Sequence, residues 1–135
     1  MTQVLVDVNL GIDDLSYKII GAAIEVHKTL GGPGLIESIY EAALCQELAL
    51  IGIKVEQQVP LQVNYKGFVI KDPYIIDILI PNKIIIEVKA TEKNYPIYES
   101  QLLTYLRLSG IKLGLLINFG YSQVSHGIAR VVNNF

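Results

Sequence analysis

The chain has a single cysteine, Cys45, so no intramolecular disulfide can form among its 135 residues. Its neighbours Ala42, Ala43, Leu44 and Leu48 mark it as a small buried hydrophobe rather than a reactive thiol. No uninterrupted apolar run approaches the roughly 18 residues of a membrane span, so no membrane association is expected. "MTQVLVDVNLGIDDLSYK" lacks a basic n-region followed by an apolar h-region, and Asp7, Asp13 and Asp14 argue against a transit peptide. The cytoplasm is the expected location. Lys and Arg, 11 against 13 Asp and Glu, are scattered rather than blocked, which leaves a net charge of −2. That pattern argues against a tight, sequence-independent grip on nucleic acid, although folding can gather basic residues distant in sequence. Repeats, low-complexity tracts and Pro/Ser-rich linkers are also missing. Residues 1–135 are therefore expected to form one domain, large enough to bury about two thirds of its unfolded surface without disulfide or metal staples.

Apolar residues are plentiful, at 51% of the chain with a mean hydropathy of +0.41. A buried homo-oligomer interface, most simply a dimer, is the expected use of the surplus. Leu15, Ile19, Ala22, Ala23, Val26 and Leu30 recur at helical spacing and predict a helix from about Asp14 to Leu30, closed by Gly31. A glycine-rich entry then leads to Ile36, Ile39, Tyr40, Ala43, Leu44 and Leu48, which predict a second helix from about Ile36 to Leu50, stopped by Gly52. "IKVEQQVPLQVNYKGFVI" alternates with period two, interrupted by Pro60 and Gly67, as short antiparallel strands do. Pro96 and Gly110 frame a third helix, "KLGLLINF" reads as a buried strand, and "HGIARVVNNF" as an edge strand. The order predicts an α/β fold with a mixed central sheet flanked by helices.

The segment "IIDILIPNKIIIEVKA", residues 75–90, is a hydrophobic hairpin interrupted by Asp77, Glu87 and Lys89. With Pro81, Asn82 and Lys83 as the turn, partners sum to 164: Ile80 meets Ile84, Ile78 meets Ile86, and Asp77 meets Glu87. Strand alternation then gathers Asp77, Glu87 and Lys89 on one face, with Ile76, Ile78, Ile80, Ile84, Ile86 and Val88 on the other. Opposed carboxylates repel, by a few tenths to about 1 kcal/mol when solvated and by more when partly buried. Lys89 neutralises only one of them, whereas a divalent cation between both removes the conflict, and hard oxygen ligands suit Mg²⁺ or Mn²⁺. The lysine is then left to position a nucleophile and to stabilise charge developing on a phosphate. The competing reading is a wet structural ion-pair network, since E-x-K is a common strand triplet.

Other polar positions are individually weak. Glu37 lies in the first turn of the second helix, where the helix dipole already favours an acid, with Tyr40 and Glu41 on its face. Gln101 and Tyr105 are i and i+4 on the third helix, beside an apolar stripe. His27, at a helix C-terminus, needs no more than the dipole to account for it.

Together, Glu37, Asp77, Glu87-Val88-Lys89 and the pair Gln101 and Tyr105 resemble in order and spacing the PD-(D/E)xK nuclease-like superfamily, particularly its RecB-like branch with a Q-x-x-x-Y helix. Gly34, Glu37 and Tyr40 in "GLIESIY", with "QLLTYLRLSGIKLGLLINFG", are similar to the small bacterial GxxExxY proteins, over about residues 15–133. The resemblance implies a restriction-endonuclease-like core of helix, three antiparallel strands, helix and strand, preceded by an extra N-terminal helix. It implies Glu37, Asp77, Glu87 and the Val88 carbonyl as ligands of Mg²⁺ or Mn²⁺, with Lys89 as the catalytic lysine beside Asp77 and Glu87. Gln101, Tyr105, His27 and Tyr40 become supporting or substrate-facing residues. The implied activity is metal-dependent hydrolysis of DNA phosphodiesters; the alternative is a catalytically silent binding or assembly module on the same fold.

Overall fold

In the computed structural model, residues 11–134 are described. The segment from Met1 to Leu10, read above for the absence of a leader, lies outside them. Helix α1, Ile12–Thr29, buries Leu15, Ile19, Ala22, Ala23 and Val26 along one stripe, with Asp13 and Asp14 in its first turn and His27 and Lys28 in its last, as the dipole favours. It starts two residues before the periodicity indicates, and ends where the Gly31 N–H donates to the Lys28 carbonyl (3.2 Å) and the Gly32 N–H to that of His27 (2.8 Å). Helix α2, Glu37–Leu50, buries Tyr40, Glu41, Leu44, Cys45 and Leu48. Helix α3, Pro96–Ser109, has Pro96 in its first turn and closes on Gly110, whose φ of 77° suits a residue without a Cβ. No helix among the described residues is long and apolar enough to cross a membrane.

Five strands, β1 Glu56–Tyr65, β2 Phe68–Ile80, β3 Ile84–Lys89, β4 Leu113–Asn118 and β5 Ile128–Val132, lie side by side in chain order among the described residues. β1, β2 and β3 are antiparallel neighbours, β3 and β4 run parallel around the α3 crossover, and β5 closes the edge antiparallel to β4. A mixed sheet flanked by helices is thus the architecture, with α1 preceding the strands as an extra N-terminal helix. The parallel pair β3 and β4 is almost wholly buried because helices cover both of its faces. One face packs Leu15, Ile19, Tyr40 and Leu44 of α1 and α2 onto Ile78, Ile86, Val88 and Ile117; the other packs Leu102, Tyr105 and Leu106 of α3 onto Ile85 and Leu116. At Gly114 a Cβ would come within 2.8 Å of the Leu102 side chain, so the missing side chain is what lets α3 sit this close to β4.

The hairpin has the expected register: Ile78 pairs with Ile86, Leu79 with Ile85 and Ile80 with Ile84, around a turn in which Asn82 is left-handed (φ 64°). One expectation is corrected. Ile76 does not share the face of Ile78; it joins the α3-side core, whereas Ile78 belongs to the α1/α2 side. The reversal lies at Gln58 and Asp77, where the β1/β2 ladder passes from Gln57–Ile78 to Val59–Ile76 over a left-handed Gln58 (φ 52°). The left-handed residue interrupts the pleat of β1 opposite Asp77, and alternation along β2 is lost at the same place.

Candidate carboxylate site

Beyond Ile78 and Ile86 the carboxylates take over from the ladder. The Asp77 N–H donates to Glu87 Oε2 (2.9 Å), and the Val88 N–H donates to Asp77 Oδ2 (2.9 Å). Each acid is thereby fixed by the backbone of the other strand. Burial raises the Asp77 carboxyl above the usual range, and the nearby charge of Glu37 adds to this, while the Val88 N–H, Lys89 and Gln58 oppose it. Glu87, only 6% exposed, is pushed up to about 8, first by burial and then by Asp77, with Glu41 adding to the effect; the Asp77 N–H and Lys89 relieve part of it. The paired acids that the register predicts are therefore mutually unfavourable and partly dry.

No ion pair joins Lys89 to Asp77 or Glu87 among the described residues. Its ammonium instead lies 4.7 Å from the ring centre of Tyr98 on α3, still near enough to act electrostatically on both acids. Tyr98 donates to Thr91 Oγ1 (3.2 Å), and Thr91 is held by the fully buried Asn118, whose Oδ1 accepts from the Thr91 and Gly120 N–H groups (3.0 and 2.9 Å). A satisfied polar network thus braces the loop between β3 and α3, and Lys89 rests against it.

Tyr105 is buried beside the acids, with its ring 5.2 Å from that of Tyr74; burial, then Glu87 and Asp77, push its hydroxyl up to about 12. Gln101 lies one turn earlier on α3, half-buried. Glu37 opens α2, exposed, and acts on Asp77 through its charge. Among the described residues no group of three His, Cys, Asp or Glu forms a ready-made metal cluster.

Tyr40 accounts for the spacing of "GLIESIY". Its hydroxyl donates to the Gly32 carbonyl (2.6 Å) and accepts from the Leu35 N–H (3.2 Å), while its ring stacks on Phe119 at 4.6 Å. One turn after Glu37, it ties down the loop that delivers Glu37, and Gly34, at φ 119°, supplies a turn that a side chain would strain. His27 is turned elsewhere: its Nε2 donates to the Tyr121 carbonyl (3.0 Å), pinning α1 to the segment after β4. Cys45 is buried and its thiol is pushed up to about 11 by burial and by Glu41, which keeps it in the inert form.

Gln57, Gln58 and Tyr98 carry no assignment from the sequence, and Glu41 is placed by it only as a neighbour on the face of Glu37. Glu41, 7% exposed, accepts from the amides of Gln57 (3.2 Å) and Gln58 (3.1 and 2.9 Å), and the Gln58 amide also reaches Asp77 Oδ1 at 3.4 Å. No periodic signal in "KVEQQVP" sets these glutamines apart. Tyr98 did carry one, at i, i+3 and i+7 with Gln101 and Tyr105.

The hard-oxygen chemistry of Asp77, Glu87 and Glu37 fits a divalent ion, whose charge would offset the burial and the Asp77 repulsion that raise Glu87. In fold, the chain is similar to the protein in "Crystal structure of SSO0001" (TM-score 0.55, 18% identity), an alignment that covers 98% of this chain and 62% of that one. No curated protein matches the sequence. A family model described as the PD-(D/E)XK nuclease superfamily matches residues 13–131, and the chain belongs to that superfamily.

Proposed function

We propose that the protein is a Mg²⁺- or Mn²⁺-dependent nuclease that hydrolyses DNA phosphodiesters, of the RecB-like branch and the GxxExxY type, working in the cytoplasm. One observation carries the reading: half-buried Asp77 and buried Glu87 are locked against each other by backbone N–H groups, and Glu87 is pushed up to about 8, first by burial and then by Asp77. A protein that needed only a stable hairpin would gain by losing one of these acids. Asp77, Glu87 and the Val88 carbonyl, with Glu37 alongside, would hold the ion. When bound, the ion would supply an activated water and charge neutralisation at phosphorus.

The chain's own residues supply the rest. Asp77 and Glu87 orient the attacking water. Lys89 leaves the face of Tyr98 for a phosphate oxygen and stabilises the charge that develops there. Tyr105 keeps its proton across the physiological range and donates it in a hydrogen bond to the same phosphate, and the Gln101 amide, one turn away, contacts the strand. His27 and Tyr40 support from behind by fixing α1 and the glycine loop.

A second reading is favoured by the β1/β2 arm, where, among the described residues, β2 beyond the hairpin has only β1 beside it, and Tyr65 and Phe68 are 61% and 68% exposed. With Val69 and Ile70 this surface suits a homodimer, and the protein would then be an assembly module on a nuclease fold. Labelled single- and double-stranded DNA incubated with Mg²⁺ or Mn²⁺ separates the two. Cleavage by wild type that disappears in Glu87→Gln and Lys89→Ala supports the nuclease. Intact DNA, together with a dimer that dissociates in Phe68→Asp, supports the module.

A further inference from the structure

Gln58 is strained at the point where the β1/β2 ladder loses its alternation. It is a non-glycine residue on an edge strand at φ 52°, in a conformation that costs on the order of 1 kcal/mol and that persists where a site demands it. The strain delivers its side chain into the carboxylates. Glu41 is buried, and no cation lies within ion-pair distance of it among the described residues; amide N–H groups alone meet its two oxygens. The single Gln58 nitrogen lies 3.1 and 2.9 Å from the Glu41 oxygens and 3.4 Å from Asp77 Oδ1. One NH₂ group is thus surrounded by three oxygens of two acids. A partially positive donor at the focus of converging carboxylate oxygens does electrostatically what a cation does, with two N–H vectors in place of a full charge.

We propose that Gln58 is a positioning residue that holds the place of the cation, its amide keeping Glu41 and Asp77 in register in the metal-free protein and giving way when a hard divalent ion enters beside Asp77. This rests on the reading of Asp77 and Glu87 as a metal site. Glu41 then acts as the anchor that receives the displaced amide, which keeps the glutamine beside the site instead of releasing it to solvent. The strained backbone has a function in this arrangement, because a relaxed strand residue at 58 would point its side chain along the ordinary alternation.

The test is the Mn²⁺-induced shift in melting temperature, followed by circular dichroism for wild type and Gln58→Glu, with Mn²⁺ affinity by calorimetry for Gln58→Gly. Gln58→Glu puts a third acid at the focus. Its metal-free melting temperature should fall, and its Mn²⁺-induced shift should be at least twice that of wild type. Gln58→Gly accepts the left-handed backbone and removes the competing amide; Mn²⁺ should bind about tenfold more tightly, the worth of one charge-assisted hydrogen bond no longer displaced. Equal losses of melting temperature with and without Mn²⁺ in Gln58→Glu, with unchanged affinity in Gln58→Gly, would overturn the place-holding role while leaving the metal site intact. Absence of any Mn²⁺ shift or binding in wild type would overturn the metal reading, and this inference with it.

Discussion

Glu87→Gln should make the metal-free protein more stable, and increasingly so as the pH rises. The carboxyl is pushed from 4.5 to about 8 in the folded protein. Between those values the native state binds a proton that the unfolded chain has lost, so stability is fully present below about 4.5 and is lost as the pH climbs to about 8. A shift of this size corresponds to roughly 1.4 kcal/mol per unit, on the order of 5 kcal/mol above pH 8, an upper figure because relaxation of the site absorbs part of it. Glutamine carries no charge, and its carbonyl oxygen can still accept the Asp77 N–H. The variant should therefore match wild type near pH 4.5 and exceed it by about 2 to 4 kcal/mol at pH 8.5, which is about 5 to 15 °C in melting temperature for a domain of this size. Urea denaturation with chelator at pH 4.5, 6, 7 and 8.5 measures it. A variant that is less stable at pH 8.5, or offset by the same amount at every pH, would refute the reasoning.

Three further outcomes follow from the geometry. Tyr40→Phe keeps the ring on Phe119 and removes the contacts to Gly32 and Leu35, so thermal melts should show a loss of about 1 to 2 kcal/mol, and Mn²⁺ affinity should weaken severalfold as Glu37 loses its anchor. Gly114→Ala forces a Cβ against Leu102 and should cost about 1 to 3 kcal/mol in chemical denaturation, with Leu102→Val restoring part of it. Asn118→Leu strands the Thr91 and Gly120 N–H groups and should cost about 2 to 4 kcal/mol, detectable as faster amide exchange across residues 90–95.

Much of the fold was legible because its signals are local. A three-residue turn fixed the hairpin register and hence the meeting of Asp77 and Glu87, and the apolar spacing of Leu15 to Val26 gave α1 to within two residues. Alternation failed at Asp77, opposite the left-handed Gln58 of β1, and so misplaced Ile76. What the sequence hid depends on contacts between distant segments. His27 finds Tyr121 across 94 residues, and Asn118 organises a loop 27 residues earlier. Glu41 was visible on the face of Glu37, but its burial and its glutamine partners depend on how α2 docks on β2 and β3 beside β1, which no periodicity encodes.

The most direct test is calorimetric titration of Mn²⁺ into wild type, Asp77→Asn and Glu87→Gln at pH 7.5. Wild type should show a saturable divalent site that weakens at least tenfold in each variant, while both variants stay folded. If both bind Mn²⁺ as wild type does, the paired carboxylates are not a metal site, and the nuclease reading built on them fails.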